Sequence, residues 1–165
     1  MSADATRPTP VPSAFEVREL FEGLLGRTVE WTAMSGVVDP IDGATVGAYT
    51  NDFGVVKALV LCDIALTARA GSAIALLPQM GAEDTIKNGL VTAAQFDNLA
   101  EILNVAGSMF NRPNAPHIRL DTTYAPRETL PADVAKWTLV PASRIDGVLT
   151  IQGYGEGRIS VVVAY

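Results

Sequence analysis

The sequence predicts an α+β fold, a long antiparallel β-sheet covered on one face by helices. Two observations carry this. The elements read in the order helix, three strands, two helices and about four strands, so helices and strands are segregated rather than alternating. The links between successive strands are short and polar, which suits hairpins and not crossovers. A third observation sets the scale: 165 residues, 48% hydrophobic and 18% charged, are enough for one domain with a buried core.

Each element has a local reason. Ser13 and Glu16 form a capping box, and Val17, Leu20, Phe21 and Leu24 follow at i, i+3, i+4 and i+7 until Gly26. Residues 28–34, 44–50 and 55–61 read as strands, separated by turn chemistry at Asp42-Gly43 and at Asn51-Asp52-Phe53-Gly54. These three strands are expected to form an antiparallel meander. Asp63 caps an Ala-rich helix over 64–77 whose small side chains permit close packing, and Pro78 and Gly81 end it. Residues 81–90 read as an acidic, polar connection, and 92–111 as a long helix capped by Thr92. Strands are expected at 117–124 and 136–140, on either side of a Pro-rich excursion, and a hairpin over 147–165 finishes the chain. Residues 159–164, Ile-Ser-Val-Val-Val-Ala, are nearly all apolar; such a strand must lie in the middle of the sheet or pair in a dimer.

Composition excludes several functions. With 12 Lys+Arg against 18 Asp+Glu the net charge is −6, and no basic cluster offers a nucleic acid a replacement for its counterions. One cysteine, Cys62, rules out an internal disulfide, and with His117 as the sole histidine a zinc site has too few ligands. Residues 1–12, with three prolines and no apolar stretch, read as a disordered tail rather than a signal peptide, leaving 13–165 as a single domain. The longest apolar runs fall far below the ~20 residues of a membrane helix, so no membrane insertion and a cytoplasmic location are expected. His117 lacks a Ser-Asp arrangement, Cys62 reads as a buried small hydrophobe, and residues 153–157 lack the Lys-Ser/Thr pair of a phosphate loop. Trp31 and Trp137 read as core or interface anchors.

The helix over 92–111 carries the informative pattern. Phe96, Leu99, Leu103, Ala106 and Phe110 recur at helical spacing and should face the core. Asp97, Glu101, Asn104, Ser108 and Asn111 fall at i, i+4, i+7, i+11 and i+14, a polar stripe without Lys or Arg. A solvated helix face ordinarily mixes signs in i, i+4 pairs, whereas Asp97 and Glu101 repel each other. Polar stripes are also the ordinary outer side of an amphipathic helix, so spacing alone does not assign a function.

The run Asp97-x-x-x-Glu101-x-x-Asn104 resembles the signature of the CheC/CheX/FliY family of response-regulator phosphatases: an Asp or Ser, then Glu, then Asn on one helix face, and a proline some twenty residues later, here Pro126. The continuation Asn104-Val-Ala-Gly107 and the strand-helix run over 55–77 are similar too, so the resemblance spans most of 13–165. Two-site members carry the pattern on two helices. Here Glu16 is followed by Glu19 where an Asn is needed, which resembles the single-site, homodimeric CheX type.

The resemblance implies hydrolysis of the aspartyl phosphate of a CheY-like response regulator. Asn104 would orient the attacking water and Glu101 would dock a lysine of the partner, with Asp97 and Ser108 bordering the contact. No cofactor of its own is implied, because Mg2+ is expected on the partner regulator. The alternative is a noncatalytic CheC-like binding module that uses the same stripe to hold a signalling partner. A free acyl phosphate is a poorer substrate, since one Glu and one Asn cannot assemble a metal site.

Overall fold

The computed structural model describes residues 8–141 and 143–165. Residues 1–7 of the expected tail lie outside the described residues; of the remainder, Thr9 and Pro12 are buried. Six strands, β1 (Val29–Ala33), β2 (Ala44–Thr50), β3 (Val56–Asp63), β4 (Arg119–Tyr124), β5 (Arg144–Ile151) and β6 (Gly155–Val163), form one sheet in the order β1-β5-β6-β3-β2-β4. Every neighbouring pair is antiparallel. The helices are α1 (Ala14–Leu25), α2 (Ile64–Ala73), α3 (Gln79–Asn88), α4 (Ala93–Ala106) and the single turn α5 (Ala132–Ala135). The α+β architecture is therefore the one the sequence predicts.

Alternation along the central strands builds two cores. Ala58, Val60 and Cys62 of β3, with Ile159, Val161 and Val163 of β6, pack beneath α1, α2 and α4. Leu59, Leu61 and Val162 point the other way, toward Val38 and Val134 in the irregular segments that cover the second face. Burial on both faces explains why β6 reads as a continuous apolar run. It lies between β5 and β3, so the central placement holds and the strand needs no partner from a second copy.

Three expectations are corrected. The first three strands are no meander: β2 pairs with β3, but β1 sits at the far edge against β5, with Val29 opposite Ile151. Residues 81–90 are no connection, because most of them belong to α3. Its buried residues are Ala82 and Thr85, with Ile86 half-buried beside them, so its inward side is short of large apolar groups; the Arg69–Glu83 ion pair at 2.9 Å and the Thr85–Gln95 hydrogen bond add to its hold. Residues 136–140 form no strand. The N–H groups of Thr138 and Val140 turn back onto Ala135 O and Trp137 O, and Arg144 Nη1 donates to Thr138 O and Val140 O, both at 3.0 Å.

That arginine belongs to a network that fastens the second face. Arg144 pairs with Asp146 at 2.8 Å, with side chains 6% and 13% exposed. Ser160 Oγ donates to Asp146 Oδ1, and Val38 N–H donates to Ser160 Oγ at 2.9 Å, so residues 34–38 and 136–140 are tied to β5 and β6.

On the helical face the layers approach closely at two glycines. A methyl group at Gly157 of β6 would overlap the backbone of Leu66 in α2, and one at Gly71 of α2 would overlap the Gln95 carbonyl of α4. Gly71→Ala is therefore expected to cost about 1–3 kcal/mol through overpacking. Arg144→Ala is expected to cost about 3 kcal/mol or more by leaving Asp146 buried without its partner. Urea denaturation measures both.

Candidate functional site

The candidate site is the outer face of α4, and its bearing is set from the first turn. Thr92 Oγ1 accepts from Gln95 N–H at 3.2 Å while Gln95 Oε1 accepts from Thr92 N–H at 3.0 Å, a complete capping box. The same Gln95, buried, accepts from Thr85 Oγ1 at 2.9 Å and donates to Ser72 Oγ at 3.4 Å. Asn98 donates to Gly71 O at 2.8 Å. Leu99, Ile102, Leu103 and Ala106 are buried against the sheet and the neighbouring helices, and Phe96 is half-buried. The helix is thus locked to α2 and α3 by both hydrogen bonds and packing.

With that side fixed, the stripe faces out. Asp97, Glu101, Asn104 and Ser108 are all exposed, and among the described residues none of their side chains has a hydrogen bond or ion pair. Helix geometry sets Glu101 and Asn104 about 4.5 Å apart along the axis, on one side and within one turn. Ser108 stands just beyond the α-helix, in the 3-10 turn Gly107–Phe110. Asn111 is different in kind: it is a loop clamp, donating to Gly107 O and Ile118 O and accepting from Ile118 N–H at 3.0 Å. Val105, 43% exposed, adds an apolar spot beside Asn104 that sequence periodicity did not single out.

The acids of α1 provide a contrast. Ser13 Oγ caps the helix by accepting from Glu16 N–H, but the Glu16 carboxylate does not complete the box; it binds Arg112 at 2.6 Å, and Glu19 binds Arg18 at 2.7 Å. Charge on α1 is neutralised inside the chain, whereas on α4 it is left for solvent or a partner.

Pro126 lies near the start of α4, not beside Asn104. With Thr92, Ala93, Phe96 and Arg127 it lines a notch of about 380 Å³. Ala93 lies roughly 16 Å along the helix axis from Asn104. Among the described residues no group of three His, Cys, Asp or Glu could hold a metal ion, and no helix is long and apolar enough to cross a membrane. His117 is exposed at the entrance to β4.

The six-stranded antiparallel sheet with α1, α2 and α4 on one face defines a fold class, the CheC-like α+β fold. Solved structures of this class include the FliM of H. pylori in complex with SpeE (TM-score 0.59, 9% identity, 91% of this chain and 80% of that one). Thermotoga maritima FliY is also similar (TM-score 0.50, 16% identity, 89% and 82%). So is CheX of Borrelia burgdorferi, solved as a CheX–CheY–BeF3–Mg2+ complex (TM-score 0.54, 9% identity, 89% and 92%). No protein-family model matches the chain, and no curated protein does. At these identities the likeness is one of fold.

Cys62 is fully buried in the core, and burial, reinforced by the neighbouring Asp63 carboxylate, pushes its thiol pKa far up. The native state keeps the proton that an unfolded thiol sheds near pH ~8.5. Stability is therefore full below that pH and declines above it, by about 1.4 kcal/mol per pH unit for this one group. Cys62→Ala is expected to flatten that decline between about pH 8.5 and 10, measured by urea denaturation at each pH. Native Cys62 is expected to resist thiol reagents until the chain unfolds.

Proposed function

We propose that this protein is a cytoplasmic phosphatase of a CheY-like response regulator. The observation that carries the reading is the exposed Glu101–Asn104 pair on a locked helix, with neither side chain engaged by another of the described residues. The sequence signature supports it, and so does the CheX of like fold solved with CheY.

Transfer of a phosphoryl group to water through a loose transition state asks for an in-line water and charge stabilisation more than for a strong base. Asn104 meets both needs: its carboxamide oxygen accepts from the water and its nitrogen donates to a phosphoryl oxygen. The regulator brings the phosphoaspartate, its Mg2+ and a lysine. Glu101 takes the lysine, which fixes the angle at which Asn104 enters the regulator's site. Asp97, one turn toward the N-terminus, and Ser108, one turn beyond Asn104, border the contact. One copy of α4 with the 3-10 turn that follows it supplies all four residues, so the chemistry works in a monomer or a homodimer alike.

A noncatalytic binding module is the second reading, favoured by the likeness to FliM structures solved with SpeE and with FliG. Timing phosphate loss from a phosphorylated CheY-like regulator separates the two. Acceleration by the wild-type protein supports the enzyme; binding with an unchanged or slower rate supports the module. Asn104→Ala is expected to return the rate to the regulator's own while leaving affinity within about twofold, and full activity in this variant would sink the assignment. Glu101→Ala is expected to weaken docking about tenfold, a loss of about 1.4 kcal/mol, and exchanging Glu101 with the partner's lysine should restore part of it.

A further inference from the structure

Tyr49 of β2 is wholly buried, and its hydroxyl donates to Leu103 O at 2.5 Å, 54 residues away in sequence. A buried phenol needs an acceptor. The particular carbonyl chosen matters, because Leu103 directly precedes Asn104. In an uninterrupted α-helix Leu103 O would accept from Gly107 N–H. Here Gly107 N–H turns to Asn104 O and Val105 O, and the chain tightens into the 3-10 turn Gly107–Phe110. Tyr49 thus holds the helix carbonyl from which the winding change withdraws its usual donor.

Independent features aim the ring at this point. The sheet register shifts on both sides of Tyr49, between Ala48 and Tyr49 toward β4 and between Tyr49 and Thr50 toward β3. Irregularities of this kind redirect a side chain. The ring packs on Phe110 with centroids 5.1 Å apart, and a Cβ at Gly107 would lie 3.6 Å from it, so the turn is held by packing as well as by the hydroxyl. Burial also raises the phenol pKa well above its usual value, which keeps the group a donor throughout the working pH range.

The geometry points to Tyr49 as a positioning residue: its hydroxyl clamps Leu103 O, fixes the end of α4 and so sets the bearing of Asn104 toward a docked phosphoaspartate. The catalytic part of this inference rests on the phosphatase reading; the clamp does not. Without the hydroxyl, Leu103 O is free to recapture Gly107 N–H, and the 3-10 turn can rewind toward α-helix.

Tyr154 supplies a control, since its hydroxyl donates to Leu77 O at 2.6 Å, a comparable bond with no link to α4. Tyr49→Phe and Tyr154→Phe each remove one oxygen and keep the ring. Amide hydrogen exchange and NMR shifts over residues 103–108 in the free protein read the clamp, and dephosphorylation kinetics with a phosphorylated CheY-like regulator read its use. Tyr49→Phe is expected to change the exchange rates of Gly107 and Ser108, to shift the Asn104 side-chain amide, and to lower kcat about tenfold with affinity within about twofold. Tyr154→Phe should do none of these. In the wild type, the Tyr49 hydroxyl proton should exchange slowly with solvent, a measurement that needs no variant. Unchanged shifts and exchange over 103–108 in Tyr49→Phe, or an equal loss of kcat in Tyr154→Phe, overturn the inference. A wild type that does not accelerate phosphate loss defeats the phosphatase reading, and the exchange data still decide whether Tyr49 holds the helix end.

Discussion

The close crossing of α2 and α4 is the constraint on which the candidate site depends. Gly71 lets the two backbones approach until no side chain fits between them, and Asn98 then reaches the Gly71 carbonyl. Gln95 completes the lock by serving at once as the N3 residue of a capping box and as a partner for Thr85 and Ser72. A helix fixed in this way cannot roll. Its apolar side stays against β2 and the helical layer, and Asp97, Glu101 and Asn104 stay outside. The rigidity matters for the proposed function, because a carboxamide meant to complete another protein's active site must be placed before the encounter, not during it.

Electrostatics distinguish the outer face of α4 from that of α1. Glu16, Glu19, Glu22 and Glu83 each meet an arginine of the chain, and Asp146 is held by Arg144 in the second core. Asp97 and Glu101 meet none among the described residues, although they are one turn apart and of like sign. Exposed carboxylates repel each other only weakly through water, so the cost to folding is small. The arrangement favours a cationic group arriving from outside.

Much of the architecture was legible because local chemistry and tertiary structure agree. The caps at Ser13, Asp63 and Thr92 all form, and the alternation of β3 and β6 produces the two cores. The failures have physical causes. α3 exposes most of its surface, and the residues it turns inward, Ala82, Thr85 and the half-buried Ile86, are few and mostly small or polar, so the segment reads as a polar connection. Residues 136–140 have strand-like composition, but the carbonyls of Thr138 and Val140 are claimed by Arg144, whose side chain is oriented by Asp146 and, through it, by Ser160 of β6. β1 alternates as a strand should, yet nothing in its own residues names β5 as its partner.

The sequence by itself determined the polar stripe of α4, because a period of 3.6 residues puts Asp97, Glu101 and Asn104 on one side wherever the helix lies. It also limited residues 159–164 to the middle of the sheet or to pairing with a second copy, since a strand apolar on both faces has no stable place at a free edge, and the tertiary structure chose the first. Only the tertiary structure decided that the stripe faces solvent unpaired, that Asn111 leaves it to clamp a loop, and that Tyr49 grips the carbonyl preceding Asn104. Those outcomes depend on which distant groups arrive at the ends of α4. Backbone hydrogen bonding and helical period are local, whereas the choice between a partner within the chain and one outside it is made by packing across the whole molecule.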